Sequence, residues 1–314
     1  MTLAALFLLL GLVLLYFGAE GLVRGSSSLA LRLGLSPLVV GLTVVAFGTS
    51  SPELVVSLKA ALDGQGAISV GNVVGSNICN IGLILGLCAM ITPIATNSQI
   101  IRVDIPIMLG ITGVALFVLA NGHLGRPEGI LLFALLLAYI FFSIRLARRQ
   151  PADALSAEFG EEVKISKRGL AVDLLMVAGG LILLVFGARF LVDGAVIIAR
   201  AFGWSEALIG LTIVAIGTSL PELATSLLAA VKKEADIAVG NIVGSNIFNL
   251  LGILGITAIV HPLATGGVGM VDFAVMAAFS LVLWPMAFHQ QRITRPEGAA
   301  LLAGYAGYLF WLLR

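Results

Sequence analysis

The sequence has few charged residues and few cysteines. Among 314 residues, Lys and Arg number 18 and Asp and Glu 17, so 11% of the chain is charged, 59% is hydrophobic and the formal net charge is +1. So few charges cannot cover a soluble protein of this size, and the balanced charge argues against a nucleic-acid partner. Cys79 and Cys88 share one apolar run, which argues against a disulfide framework. The composition predicts an all-α integral membrane protein whose surroundings are the lipid bilayer.

Long apolar runs supply the expected membrane-spanning helices. Each helix needs about 20 mostly apolar residues, and ten transmembrane helices are predicted. The first begins directly at the N-terminus without a basic segment, which favours a retained helix over a signal peptide. One sizeable polar segment, 149–168, separates 1–148 from 169–314. The predicted helices lie near 3–31, 36–60, 66–92, 103–121, 127–147, 169–200, 206–231, 236–260, 270–289 and 296–313.

The two halves are copies of one another. The stretch 41–57, GLTVVAFGTSSPELVVS, matches 210–226, GLTIVAIGTSLPELATS, at 12 of 17 positions and an offset of 169. At the same offset, 70–80 (VGNVVGSNICN) matches 239–249 (VGNIVGSNIFN) at 9 of 11 positions. A repeat of five helices is odd in number, so the second copy must enter the membrane in the opposite direction. The sequence therefore predicts two inverted-topology five-helix repeats.

The basic residues predict the orientation of the chain. Most Lys and Arg residues fall on the side that holds the 149–168 segment if both termini face outward. That segment is therefore predicted to be a cytoplasmic linker. The protein is expected to be a multi-pass protein of the cell membrane with both termini extracellular.

A proline and a glutamate interrupt the second apolar run. Pro52 cannot donate a backbone hydrogen bond, so the helix is predicted to break around 46–52. In hydrocarbon, free carbonyls are tolerated only where protein or a polar cavity surrounds them. The carbonyls of 46–49, Ser50, Ser51 and Glu53 form an oxygen-only set, which suits hard cations such as Ca²⁺ or Na⁺. Glu222 repeats Glu53 in the second half, and such costly intramembrane acids indicate function.

Polar residues recur every four positions in the third run. Asn72, Ser76 and Asn80 share one helix face, and Asn241, Ser245 and Asn249 repeat the pattern. Small residues beside them allow another helix to come close. These side chains are either cation ligands or interhelical hydrogen-bonding groups, and the residues alone leave both readings open.

The paired motifs GTSSPE with GNVVGSNICN and GTSLPE with GNIVGSNIFN resemble the cation/calcium exchanger superfamily, in particular its prokaryotic sodium/calcium exchangers. The resemblance extends over nearly the whole chain. It implies antiport of Ca²⁺ against Na⁺ by alternating access, without a cofactor, without enzymatic activity and without an obligate protein partner. In some members an aspartate stands where this chain has Asn249.

The resemblance also implies site residues. Ca²⁺ would be bound by Glu53, Glu222 and the carbonyls of Thr49 and Thr218. Asn80 and Asn249 would occupy the middle of the site. The implied Na⁺ ligands are Ser50, Ser76, Ser219, Ser245 and the carbonyls of Ala46 and Ala215.

Three other functions could use some of these residues. A calcium/proton antiporter on the same fold is the main alternative, because buried carboxylates can exchange Ca²⁺ for protons. An intramembrane hydrolase would use a serine of GTSSPE as nucleophile, but no His or Lys lies in the two motif regions to act as its base. A channel would use similar oxygens and would lack coupling between two ion gradients.

Overall fold

Helices make up nearly all of the regular structure. The computed structural model of the chain describes residues 2–147, 169–203, 215–264, 268–312 and 314. Short π-helical turns interrupt three of the helices at Gly41–Val45, Asn80–Leu85 and Asn249–Ile253, and another begins a fourth helix at Ile100–Asp104. The helices are α1 (Thr2–Leu33), α2 (Pro37–Thr49), α3 (Ser51–Leu62), α4 (Gly66–Ile91), α5 (Ile100–Leu119), α6 (Arg126–Ala147), α7 (Leu170–Ala201), α8 (Ala215–Thr218), α9 (Leu220–Val231), α10 (Ala235–Val260), α11 (Met270–Phe288) and α12 (Arg295–Leu312).

These helices lie where the apolar runs predict them. The described ends fall within three residues of the predicted ones. Residues 206–214 of the seventh run and the 149–168 linker lie outside the described residues. By length and composition, seven of the described helices can cross a membrane, and α2 with α3 makes an eighth if the bent pair is one span. The chain is therefore a mostly helical membrane protein.

The two longest helices, α1 and α7, pack antiparallel with their backbones in contact. Glycines recur every seven residues along the contact, at Gly11, Gly18 and Gly25 of α1 and at Gly180, Gly187 and Gly194 of α7. A Cβ added at Gly18 would lie 2.8 Å from the backbone nitrogen of Leu184, and one added at Gly180 would lie 2.6 Å from that of Leu22. Only glycine permits this approach, so α1 and α7 form one tightly joined pair.

Two small antiparallel sheets join the two halves of the chain. Strand β1 (Ile94–Ala95) pairs with β4 (Arg292–Ile293), and β2 (His123–Leu124) pairs with β3 (Leu263–Ala264). Adding 169 to the residue numbers turns β1 into β3 and β2 into β4. The two sheets are therefore equivalent contacts, each made by opposite halves.

Helices α4 and α10 lie at the centre of the fold. They are the most buried of the long apolar helices among the described residues. A Cβ added at Gly240 or Gly244 would meet the carbonyl oxygens of Leu38 or Leu42 on α2, at 2.9 and 2.5 Å. The close approach that the small residues beside this polar face predict is confirmed at Gly240 and Gly244. It places the polar face of α10 directly against the interrupted helix α2.

Candidate ion-binding site

The predicted break in the second apolar run occurs at Ser50. The axes of α2 and α3 differ by 44°, and Ser50 has φ −83° and ψ 7°. Pro52 occupies the first turn of α3, where its missing N–H costs no helical hydrogen bond. Glu53 lies in the same turn with 1% of its surface exposed. The positive end of the helix dipole therefore favours a negative charge at Glu53.

The second copy repeats this geometry. Ser219 has φ −88° and ψ 7° between α8 and α9, and Glu222 lies in the first turn of α9 with 1% of its surface exposed. Thr218 ends α8, as Thr49 ends α2. Two buried glutamates thus stand at the N-termini of two short helices.

Hydrogen bonds cross between the halves at both glutamates. The Ser50 hydroxyl donates to Glu222 Oε1 at 2.8 Å, and the Ser219 hydroxyl lies 3.2 Å from Glu53 Oε1. Ser219 Oγ also lies 3.4 Å from Ser76 Oγ, so α4 joins the same network. Each carboxylate is therefore held by a serine of the other half.

Several buried oxygens around this network have no hydrogen-bond partner among the described residues. Each can accept a hydrogen bond or coordinate a cation, and each lies on a segment that the sequence predicts to contribute to the site. A set of carboxylate, amide and hydroxyl oxygens matches the ligand chemistry of Ca²⁺ and Na⁺. The oxygens are Glu53 Oε2, Glu222 Oε2, Asn80 Oδ1, Asn249 Oδ1 and Ser245 Oγ.

Asn72 and Asn241 tie helices together. The Asn72 amide donates to Ser57 Oγ at 2.9 Å and to the Glu53 carbonyl at 3.3 Å. Asn241 makes the equivalent bonds to Ser226 at 2.9 Å and to the Glu222 carbonyl at 3.5 Å, and its Oδ1 accepts the Thr49 hydroxyl at 3.0 Å. For these two asparagines the interhelical reading is confirmed.

The sequence predicts an unpaired carbonyl oxygen at Ala46, but this oxygen is hydrogen-bonded in the structure. It accepts the backbone N–H of Ser50 at 3.0 Å and lies 3.4 Å from the Thr49 hydroxyl. Helical hydrogen bonding thus continues to Ser50, and the Phe47 carbonyl accepts the Ser51 hydroxyl at 2.9 Å. Coordination of a cation by Ala46 would have to share this oxygen. For Ala215, the equivalent position, only the helical backbone is described.

Two asparagines that the sequence interpretation did not single out lie behind the site. Asn77 Oδ1 accepts the amide of Asn249 at 3.0 Å, and Asn246 Oδ1 accepts the amide of Asn80 at 3.0 Å. Both are almost fully buried. The signal that could have found them is their unchanged recurrence in the two copies of the GSN triplet.

Comparison with known proteins gives matches along the whole chain. The family model described as sodium/calcium exchanger protein matches residues 3–145 and again 172–314. Inner membrane protein YrbG of Escherichia coli is 40% identical over 316 residues, covering 99% of this chain and 96% of YrbG. Sodium/calcium exchanger MaX1 of Methanosarcina acetivorans is 34% identical over 343 residues, covering 98% of each. A solved structure of the sodium-calcium exchanger NCX_Mj matches with a TM-score of 0.84 and 35% identity, covering 98% of both chains.

Proposed function

Because the chain belongs to the sodium/calcium exchanger protein family, whose members are transporters and not enzymes, we propose that it exchanges Ca²⁺ for Na⁺ across the cell membrane. The observation that carries the proposal is the buried pair Glu53 and Glu222, each bonded to a serine of the other half and each with one oxygen that has no hydrogen-bond partner in the described part of the chain. The two ions are substrates, and the transport needs no cofactor. Membership in a family of transporters gives no support to hydrolysis by a serine of the motif.

The Ca²⁺ ion is bound by Glu53 and Glu222 together with the carbonyls of Thr49 and Thr218. Two carboxylates neutralise the double charge of the ion. Ca²⁺ requires about 6–8 oxygen ligands, so four residues that supply at most six oxygens just reach the lower limit. The unpartnered amide oxygens of the central asparagines are available for the remainder.

Sodium ions use the same and flanking oxygens. Ser245 supports this assignment, because its buried hydroxyl has no other partner among the described residues. Since Na⁺ and Ca²⁺ then share ligands, occupation by one excludes the other. The proposed Na⁺ ligands are Ser50, Ser76, Ser219, Ser245 and the carbonyls of Ala46 and Ala215, with Asn80 and Asn249 in the middle of the site.

The chain is arranged as ten membrane crossings in two inverted five-helix repeats, 1–148 and 169–314. Two observations support this arrangement. The strands of one sheet are the repeat equivalents of the strands of the other, at the offset of 169 residues. The same family model also matches each half separately. The 149–168 linker is cytoplasmic and both termini are extracellular, as the basic residues predict.

Alternating access arises from movement of α1 and α7 together. The backbones of the two helices are in contact at Gly18 and Gly180. This close packing favours movement of the two helices as one unit. A joined pair that slides along the remaining helices exposes the site to one side of the membrane at a time. The binding site itself, on the interrupted helices, stays fixed.

A calcium/proton antiporter is the second candidate. The unpartnered Oε2 atoms of Glu53 and Glu222 could hold protons in place of Na⁺. The paired serines favour Na⁺, since a hydroxyl oxygen adds a sodium ligand and is not required for proton binding.

Uptake of radiolabelled Ca²⁺ into proteoliposomes tests the proposal. Vesicles are loaded with Na⁺ or with acid, for the wild type, Glu53→Gln and Glu222→Gln. Uptake that needs internal Na⁺ and disappears in both variants supports the exchanger with its two central ligands. Uptake driven only by acid selects the second candidate. Uptake retained in both variants refutes the assigned site. Glu128→Gln is the matched control, because Glu128 lies in the first turn of α6 and binds the Gly125 N–H at 3.0 Å.

A further inference from the structure

The central amides of the site are held from behind. Asn80 begins the π-helical turn of α4, and Asn249 begins the equivalent turn of α10. The amide nitrogen of Asn80 is 3.0 Å from Asn246 Oδ1, and that of Asn249 is 3.0 Å from Asn77 Oδ1. The bonds run between opposite halves, so each half fixes the central amide of the other.

An asparagine amide has a donor end and an acceptor end, and its orientation decides what it offers to a cation. With the amide nitrogens of Asn80 and Asn249 bonded to the outer asparagines, their oxygens are buried and have no hydrogen-bond partner among the residues that the structure describes. A turn of 180° about the last side-chain bond would present N–H groups to a cation and repel it. It would also set the Asn80 oxygen against the Asn246 oxygen.

Methionine sulfurs fix the direction of the outer amides. The Asn246 amide nitrogen lies 3.8 Å from Met108 Sδ, and that of Asn77 lies 3.9 Å from Met276 Sδ and 3.4 Å from the Asn246 carbonyl. A thioether sulfur and a carbonyl oxygen accept hydrogen bonds and never donate them. If Asn246 turned over, two acceptors would face each other at Met108. The whole chain of hydrogen bonds therefore has one consistent direction.

We propose that Asn77 and Asn246 are positioning residues, which hold the Asn249 and Asn80 amides with their oxygens toward the transported cation. Met276 and Met108 fix the direction of these residues in turn. The inference rests on the proposed function, because it takes the central amides to be cation ligands. It adds residues that do not touch the ion and that nevertheless determine its affinity.

The test is equilibrium dialysis of radiolabelled Ca²⁺ with the purified full-length protein. Asn246→Ala removes the acceptor for the Asn80 amide. Because this hydrogen bond holds the Asn80 oxygen toward the cation, its loss is expected to weaken Ca²⁺ binding by about tenfold. Asn246→Leu keeps the volume of the side chain without an acceptor and is expected to lose as much as Asn246→Ala, whereas binding restored in the leucine variant would mean that the cavity and not the missing acceptor is the cause. Thr257→Val is the control, since Thr257 is buried on the same helix and its hydroxyl has no partner among the described residues.

Repeating the substitution in protein that carries Asn80→Asp distinguishes an effect on the orientation of residue 80 from an effect on the fold. Asn80→Asp presents an oxygen at either end of the side chain and so does not depend on being turned correctly. Adding Asn246→Ala to Asn80→Asp is therefore expected to cost less than about twofold. An equal loss in both backgrounds means that Asn246 only supports the fold, and it overturns the proposal. Asn77→Ala, with and without Asn249→Asp, repeats the cycle in the other half.

The outcomes distinguish this inference from the proposed function. If the wild type binds no Ca²⁺, or if Glu53→Gln and Glu222→Gln leave binding unchanged, the proposed site itself is wrong. If both glutamate variants lose binding and Asn246→Ala does not, only the positioning role is refuted. Because dialysis involves no ion gradient, the identity of the counter-ion does not affect the result.

Discussion

Replacing Glu222 by glutamine should change the preference between Ca²⁺ and Na⁺ more than it changes the fold. Glutamine keeps the shape of the side chain and an oxygen that can accept the Ser50 hydroxyl, which lies 2.8 Å from Glu222 Oε1. The substitution therefore removes mainly a charge. At about 4 Å and an effective dielectric constant of about 20, a unit charge contributes about 4 kcal/mol to Na⁺ and about 8 kcal/mol to Ca²⁺.

The ratio of the Ca²⁺ affinity to the Na⁺ affinity can be predicted more reliably than either affinity alone. The cost of burying the carboxylate and its bond to Ser50 are common to both ions and cancel in the ratio. The remaining difference of about 4 kcal/mol corresponds to a loss of about a thousandfold in Ca²⁺ affinity relative to Na⁺. The dissociation constant of radiolabelled Ca²⁺ without Na⁺ and the dissociation constant of a single Na⁺ without Ca²⁺, measured in separate titrations, give this ratio.

Equal weakening of the two ions would refute the reasoning. It would mean that Glu222 acts through packing and that its charge does not face the ion. Glu128→Gln supplies the comparison, because that carboxylate also lies in a first helical turn and binds a backbone N–H. Its substitution should leave the ratio unchanged.

Three further substitutions test the site and the packing. Ser245→Ala removes a hydroxyl that has no partner among the described residues, so thermal stability should hold while more Na⁺ is needed to displace Ca²⁺. Gly18→Ala forces a methyl group against the α7 backbone and should cost about 1–3 kcal/mol of stability. Thermal unfolding in detergent measures this loss. Gly113→Ala is the control and should cost little, because a Cβ at Gly113 would meet no described atom within 4 Å. Arg32→Ala removes the cation that lies 2.5 Å from buried Asp173 and should lower the free energy of unfolding by about 3–5 kcal/mol. Adding Asp173→Leu should recover most of this stability. No recovery would show that the unpaired charge of Asp173 is not the cause of the loss.

The sequence predicts helix positions well because apolar runs and prolines act locally. Pro52 alone is enough to place the break near Ser50. The two-residue strands, by contrast, carry no strand pattern of their own. They form because the packed helices bring Ile94 and Leu263 beside strands of the other half.

The site is predicted only in part, for reasons that lie in geometry. Motif repetition identifies Glu53 and Ser219 as polar residues of the membrane, but it does not say that they bond to each other across the repeat. Asn77 reads as one more small polar residue until its contact with the Asn249 amide is seen. The Ala46 carbonyl is engaged because the helix continues as far as Ser50, whose N–H is its ordinary i+4 donor, whereas the N–H that Pro52 lacks would have paired with Gly48.

Counting charges explains why such a site would exchange ions and not leak them. In the proposed site, Glu53 and Glu222 would give the empty site two negative charges when both are ionised, and moving unpaired charges through a low-dielectric interior costs several kcal/mol for each. One bound Ca²⁺ cancels both charges. Two Na⁺ ions do the same, and a third would leave the site with a single positive charge, because Asn249 adds an oxygen ligand without adding a charge. In the proposed exchanger the loaded forms are therefore the ones that can be buried, so each ion would cross only in exchange for the other.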